Sequence, residues 1–146
     1  MLVSVIIPMY NAEKYLDNLY ASLQYQEYDN LEIIFVDNNS QDHSYEKACF
    51  FAKNDPRVRV LKEPTQGVSY ARKKGFHASN GEYLYFIDSD DCVAPNGISY
   101  LVETAIKTNA DIVEGNYNTY LNVNRKKLLQ IIFEDTRIDY STIEDK

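Results

Sequence analysis

The sequence has few cysteines, no long apolar run and no excess of positive charge. Its two cysteines, Cys49 and Cys92, lack the spacing of metal ligands, so we interpret them as reduced thiols of a cytosolic protein. No apolar run reaches the length that crosses a membrane. A formal net charge of −7 argues against a nucleic-acid backbone as the main partner. It does not exclude a nucleotide, because a bound metal reverses the local sign.

The chain enters a predicted strand almost at once, which leaves no room for a signal peptide. We therefore expect a cytoplasmic protein, and peripheral association with the inner membrane face stays open. A length of 146 residues suits one domain.

Short apolar runs, rich in β-branched residues, alternate with helical patterns along the chain. The predicted strands cover residues 3–7, 31–36, 58–61 and 83–87, and another opens at 112–113. The predicted helices cover about 11–25, 44–53, 68–78 and a stretch that starts at Pro95. This alternation predicts an α/β fold, with a Rossmann-like, mostly parallel sheet and helices on both faces.

Three further expectations concern particular positions. Pro8 is expected to end the first strand, because proline supplies no donor to the ladder. Asn11 is a candidate N-cap for the first helix. Residues 128–133 fit a strand or a short helix, and the pattern does not choose between them.

The stretch at 83–91, YLYFIDSDD, is the richest in chemistry. Its apolar half is typical of a buried parallel strand, and three carboxylates follow where that strand ends. Asp88 and Asp90 are two residues apart, so an extended backbone would point both to one side, where they repel or hold a cation. Mg²⁺ and Mn²⁺ suit such oxygen ligands. The alternative is an acidic turn in which Asp91 caps a local group.

Two more polar clusters follow predicted strands, at residues 8–11 and 37–40. In parallel sheets, ligands bind outside the carboxyl ends of the strands. All three clusters are therefore expected at one rim, which favours a binding site over unrelated turns.

The sequence resembles the family 2 glycosyltransferases, which have the fold known as GT-A. The resemblance covers residues 3 to about 117 and rests on motifs in the family's order: VSVIIPMYN at 3–11, IIFVD at 33–37 with Ser40, GVSYAR at 67–72 with Gly75, and GEYLYFIDSDD at 81–91. The resemblance implies a nucleotide-sugar donor, bound by Pro8, Tyr10, Asn11, Asp37, Gly67, Arg72, Asp88 and Ser89. It also implies that Asp90 reaches a divalent metal, Mn²⁺ or Mg²⁺.

Two departures from the family pattern stand out. Asn38 and Asn39 occupy the place of a usual Asp-Gly pair, and Lys73 follows Arg72 where asparagine is common. The family also continues well past this length, and the later region supplies the acceptor site and the catalytic base. We therefore expect a truncated form, with a donor-binding core at 1–117 and the partly disordered start of an acceptor-side region at 118–146.

Residue chemistry agrees with this resemblance but leaves alternatives. Asp37 can accept the ring N–H of a uracil, and Tyr10 offers a face for stacking, although simple packing also explains that tyrosine. Arg72 can support phosphates or remain a solvated helix charge. His43 and His77 have no partner pattern and are expected at the surface.

Three functions remain in competition. The leading hypothesis is a metal-dependent glycosyltransferase that uses a UDP-sugar and an unknown saccharide or lipid-linked acceptor, with the inversion that the family implies. The second is a donor-binding module that is inactive alone. The third is a phosphoryl-transfer protein with an acidic pocket.

Overall fold

The computed structural model describes residues 1–116, in which strands and helices alternate. The order is β1 (Val3–Met9), α1 (Leu16–Gln24), β2 (Leu31–Asp37), α2 (Ser44–Asn54), β3 (Val58–Lys62), α3 (Val68–Ala78), β4 (Tyr83–Phe86) and α4 (Gly97–Thr108). All of these elements lie in one compact unit, Met1–Val113. The predictions for 118–146 fall outside the described residues. None of the helices described in 1–116 is both long and apolar enough to cross a membrane.

The four strands form one parallel sheet in the order β3-β2-β1-β4. Because every crossover returns the chain to the same end of the sheet, all four carboxyl ends lie at one rim. The predicted α/β fold with a parallel sheet is confirmed.

Helices cover both faces of the sheet, as expected. On one face, alternate residues of β1 and β2 pack with α1, α2 and α4, and the largest of these side chains is Phe35. On the other face, α3 packs Ala71 against Ile34 and Val36. A Cβ built on Gly75 would lie 2.4 Å from Ile6 Cγ2, so α3 approaches β1 more closely than any side chain allows.

The first strand continues through Pro8 to Met9, so the expectation that Pro8 ends it is wrong. The backbone N–H of Ile87 donates to the Ile6 carbonyl at 3.2 Å, which shows that the backbone N–H and C=O of Ile6 point toward β4. Backbone groups alternate along a strand, so the nitrogen of Pro8 faces the same side. Pairing with β4 stops at Ile6, and the missing N–H of Pro8 therefore removes no ladder bond.

Asn11 is not the N-cap of the first helix, because α1 starts five residues later and Tyr15 is its cap. Asn11 adopts a left-handed backbone with φ of 49°. Its N–H donates to Ser40 Oγ at 3.1 Å, and its Oδ1 accepts from the Gln41 N–H at 2.8 Å. Its role in the fold is to tie the loop after β1 to the loop after β2.

The last described strand differs from the buried parallel strand that the sequence predicts. β4 is parallel, but it forms an edge of the sheet in the described region, and Leu84 and Phe86 are 37% and 44% exposed. The strand expected at 112–113 is also absent from the described residues, and Ile112 is 87% exposed. A pair of apolar residues forms a strand only when it bonds to a neighbouring strand, and Ile112 and Val113 pair with none of the four strands described in 1–116. At the last helix, Pro95 precedes the cap Asn96 and does not open α4.

Candidate functional site

A cavity of about 650 Å³ opens at the carboxyl ends of β1 and β4. It brings together most of the predicted site residues, namely Pro8, Tyr10, Gly67, Arg72, Asp88, Ser89 and Asp90. The lining is completed by Met9, Asn38, Gln66 and Val68, which were not among the predicted site residues. Asn11 and Asp37 do not line this cavity.

The acidic side chains reach the cavity from a turn. The Asp91 N–H donates to the Asp88 carbonyl at 3.1 Å, so the chain turns directly after β4. The expected extended backbone is therefore wrong, although Asp88 and Asp90 still line one cavity. Burial, followed by the charges of Asp90 and Asp88, raises the pKa of the Asp91 carboxyl.

Arg72 meets this cluster from α3. One of its terminal guanidinium nitrogens, Nη2, donates to Asp88 Oδ1 at 2.8 Å. The two side chains are 42% and 54% exposed, so this ion pair contributes little to stability. The Arg72 Nε is buried and has no hydrogen-bond partner within the described residues. The guanidinium thus has one donor that residues 1–116 leave unused.

Asp37 lies apart from the other candidates. It is 5% exposed at the end of β2, and its Oδ1 has no hydrogen-bond partner in the described part of the chain. It lines a second, smaller cavity of about 180 Å³ on the α2 side. Tyr45 and Lys62 also line that cavity, and the Lys62 ammonium sits 3.7 Å from the centroid of the Tyr45 ring. A ligand N–H that reached this oxygen would remove the cost of leaving it without a hydrogen bond.

Tyr10 is 49% exposed at the larger cavity, so its ring is available to a ligand. Both histidines, His43 and His77, are exposed and lie outside the two cavities. Their expected surface position is confirmed by this exposure.

Asn38 is the site residue that sequence reasoning missed. It lines the larger cavity and is 4% exposed. Its side chain bonds three backbone groups in the loop between β3 and α3. The only signal in the sequence was its departure from the usual Asp-Gly pair, which pointed to the position without indicating the role.

The donor set fits a divalent ion of the magnesium type. No group of three or more His, Cys, Asp or Glu residues within 1–116 is arranged to hold a metal. Asp88 and Asp90 nevertheless offer carboxylate oxygens at one cavity. Mg²⁺ is usually held by one or two carboxylates, with substrate phosphates and water completing its octahedron. Such an ion would thus depend on a bound diphosphate.

Comparison with known proteins identifies the family. The model of the family described as Glycosyl transferase family 2 matches residues 4–145. The chain belongs to this family, which confirms the resemblance and leaves the phosphoryl-transfer hypothesis without support.

Relatives and solved structures agree with this assignment. Glycosyltransferase GlyG of Streptococcus pneumoniae serotype 4 is 41% identical over 120 residues, which are 82% of this chain and 40% of GlyG. The uncharacterized glycosyltransferase EpsJ of Bacillus subtilis is 40% identical over 112 residues, 77% of this chain and 33% of EpsJ. The crystal structure of S. aureus TarS 1-349 in complex with UDP-GlcNAc has a TM-score of 0.72 and 25% identity, covering 92% of this chain and 39% of TarS 1-349. The chain therefore spans well under half the length of these proteins.

Proposed function

We propose that this chain is the donor-binding portion of a glycosyltransferase that transfers a sugar from a UDP-sugar with the help of Mn²⁺ or Mg²⁺. The observation that carries the proposal is the larger cavity of a family 2 chain, where Arg72, Asp88 and Asp90 meet at the carboxyl ends of the strands. Parallel sheets bind their ligands at this end. The complex of TarS with UDP-GlcNAc supports the choice of uridine.

The proposed pose divides the nucleotide between the two cavities. The diphosphate lies in the larger cavity, where the Arg72 guanidinium can donate to it. Tyr10 stacks on the base, and Asp37 Oδ1, which has no partner within residues 1–116, accepts the ring N–H of the uracil. Asp88 and Ser89 lie toward the ribose, as the family resemblance implies.

Asp90 is proposed to hold the divalent ion, with Asp88 beside it. When bound, the ion neutralises the charge that develops on the leaving diphosphate. Asp88 Oδ1 also accepts a hydrogen bond from the Arg72 guanidinium at 2.8 Å, so Asp88 orients the arginine that faces the phosphates. An inverting reaction also needs a base for the acceptor hydroxyl, and none of these side chains is assigned that role. Acceptor binding and the base are proposed to come from outside the residues recognised here.

A calorimetric titration with UDP tests the metal-dependent site. We expect tighter binding with Mn²⁺ than with EDTA, because the ion links Asp90 to the diphosphate. Asp90→Ala should remove most of that difference. Asp91→Ala is the matched control, since Asp91 is the neighbouring acid but does not line the cavity. Equal UDP affinity of the unmodified chain in both buffers would overturn the metal bridge.

A donor-binding module without transfer activity is the second candidate, favoured because the chain spans only 33% to 40% of its relatives GlyG and EpsJ. General-base help is typically worth about 10²–10⁴-fold in rate, and its absence would leave only slow hydrolysis of the donor. A UDP-release assay with and without candidate acceptors separates the two. Acceptor-dependent turnover by this chain, at the rate of a longer protein that includes the downstream sequence, would place the base within these residues.

A further inference from the structure

We propose that Lys62 is a specificity-determining residue, whose ammonium donates a hydrogen bond to O4 of the uracil and so favours UDP over CDP. The inference rests on the proposed function for the presence of a uridine donor. It deepens that function by adding a contact to the group that distinguishes the two pyrimidines. Uracil carries a carbonyl oxygen at C4, whereas cytosine carries an amino group there.

The Lys62 ammonium is a cation with donors available to a ligand. Lys62 is the last residue of β3, is exposed, and lines the smaller cavity together with Asp37. Its ammonium lies 3.7 Å from the centroid of the Tyr45 ring, and the face of that ring attracts the charge and localises it at the cavity. Four carboxylates line the same cavity, yet none of the ion pairs within residues 1–116 involves Lys62. An ammonium has three N–H donors and no acceptor, so it suits a carbonyl oxygen.

The order of the strands places Lys62 on the side of the base where O4 lies. The strands follow one another across the sheet as β4, β1, β2 and β3. The proposed pose follows this order, with the ribose near Asp88 after β4, the base on Tyr10 after β1, and its N–H on Asp37 at the end of β2. Lys62 is the register partner of Asp37, one strand further from the ribose. In uracil, O4 neighbours the N3–H on the side away from the sugar, whereas O2 lies on the sugar's side. The register therefore favours O4.

The two bases present opposite groups to this pair of charges. Uracil has a donor at N3 and an acceptor at O4, which match the Asp37 carboxylate and the Lys62 ammonium. Cytosine has an acceptor at N3 and an amino donor at C4, so each charge would meet the wrong partner. A site that hydrogen-bonds the polar groups of one ligand rejects an analogue that leaves its own groups unpaired. Loss of the ammonium should therefore weaken the binding of UDP more than that of CDP.

Calorimetric titrations with UDP and with CDP, both with Mn²⁺ present, test this on the whole chain. We expect Lys62→Met to weaken UDP binding about threefold to tenfold, the size of one hydrogen bond, and to change CDP binding by about twofold at most. Lys62→Arg keeps a charged donor and should retain most of the preference for UDP. Lys14→Met is the matched control, because the Lys14 ammonium lies 4.5 Å from the centroid of the Tyr15 ring and outside both cavities. We expect it to leave the UDP/CDP ratio unchanged.

An analogue of the base separates the contact of Lys62 from that of Asp37. In 4-thio-UDP a sulfur replaces O4, and sulfur is a weak acceptor, while the N3–H remains. The unmodified chain should bind 4-thio-UDP about threefold or more weakly than UDP. This difference should disappear in Lys62→Met and persist in Asp37→Asn. A difference as large in Lys62→Met as in the unmodified chain overturns the contact with O4.

The UDP/CDP ratio also separates a failure of this inference from a failure of the proposed function. An unchanged ratio in Lys62→Met overturns the role of Lys62, whether both nucleotides bind as before or both bind more weakly. The second result would indicate a general attraction between the ammonium and the diphosphate. In either case UDP binding by the unmodified chain keeps the proposed function intact. If the unmodified chain binds neither nucleotide, the proposed function is overturned, and this inference with it.

Discussion

Replacing Asp37 by asparagine should stabilise the free protein and weaken UDP binding at the same time. Asp37 is 5% exposed, and its Oδ1 has no partner within residues 1–116. A buried polar group without a hydrogen bond costs about 1–3 kcal/mol, and more when it is charged. The asparagine is neutral and of the same shape, so the part of the cost that comes from the charge should disappear in the free chain, while its amide still lacks a partner. The free variant should therefore melt at a higher temperature than the unmodified protein.

The same change removes the acceptor that we assign to the uracil N–H. A hydrogen bond to a charged group contributes about 1.5–3 kcal/mol. Its loss corresponds to an increase of between about tenfold and a little over a hundredfold in Kd for UDP. An amide can also turn its N–H toward the ring nitrogen of cytosine, which is an acceptor. The preference for UDP over CDP should therefore narrow in Asp37→Asn.

Calorimetry with UDP and CDP, together with thermal melts of the free chain, measures both effects. Asp111→Asn is the matched control, because it removes one charge at an exposed position outside both cavities. A UDP/CDP ratio equal to that of the unmodified chain would show that Asp37 is structural. A lower melting temperature in Asp37→Asn would show that its carboxylate is satisfied in the free protein.

Two further predictions concern the frame of the site. Burial, the largest influence, opposes ionisation of Glu32, but hydrogen bonds from Ser4 and Asn80 hold its pKa below the usual 4.5. The contribution of Glu32 to the free energy of unfolding is present above that usual value and is lost as the pH falls through the lower pKa of the folded state. Glu32→Gln should therefore reduce the fall of the urea midpoint at acid pH, and an unchanged fall contradicts this. Gly75→Ala should place a Cβ 2.4 Å from Ile6 Cγ2. The overpacking costs about 1–3 kcal/mol and should exceed the gain in helix propensity of about 1 kcal/mol, so the variant should be less stable than the unmodified chain. A urea midpoint equal to that of the unmodified chain would show that α3 shifts freely.

The sequence by itself determined the fold class and most of the cavity. Strand and helix periods are local properties, so the alternation along 1–108 was readable without any knowledge of contacts. The end of each strand was marked by a change from apolar to polar residues. Because parallel strands share one rim, Pro8 and Asp90 could be expected to meet before their distances were known, and the family resemblance added Arg72 to the expected site.

Only the tertiary structure decided which side of the rim each group faces and what it bonds. Asp37 was expected with the other ligands, but the alternation of β2 directs it to the α2 side and a separate cavity. Leu84 and Phe86 of β4 are exposed because the helix on their face of the sheet, α3, packs against β1 and β2, which the apolar sequence of β4 does not reveal. Asn38 bonds backbone groups 25 to 29 residues away, through carbonyls and an N–H that every loop possesses. Such partners carry no side-chain signature, so their pairing is determined by folding and cannot be recognised from a motif.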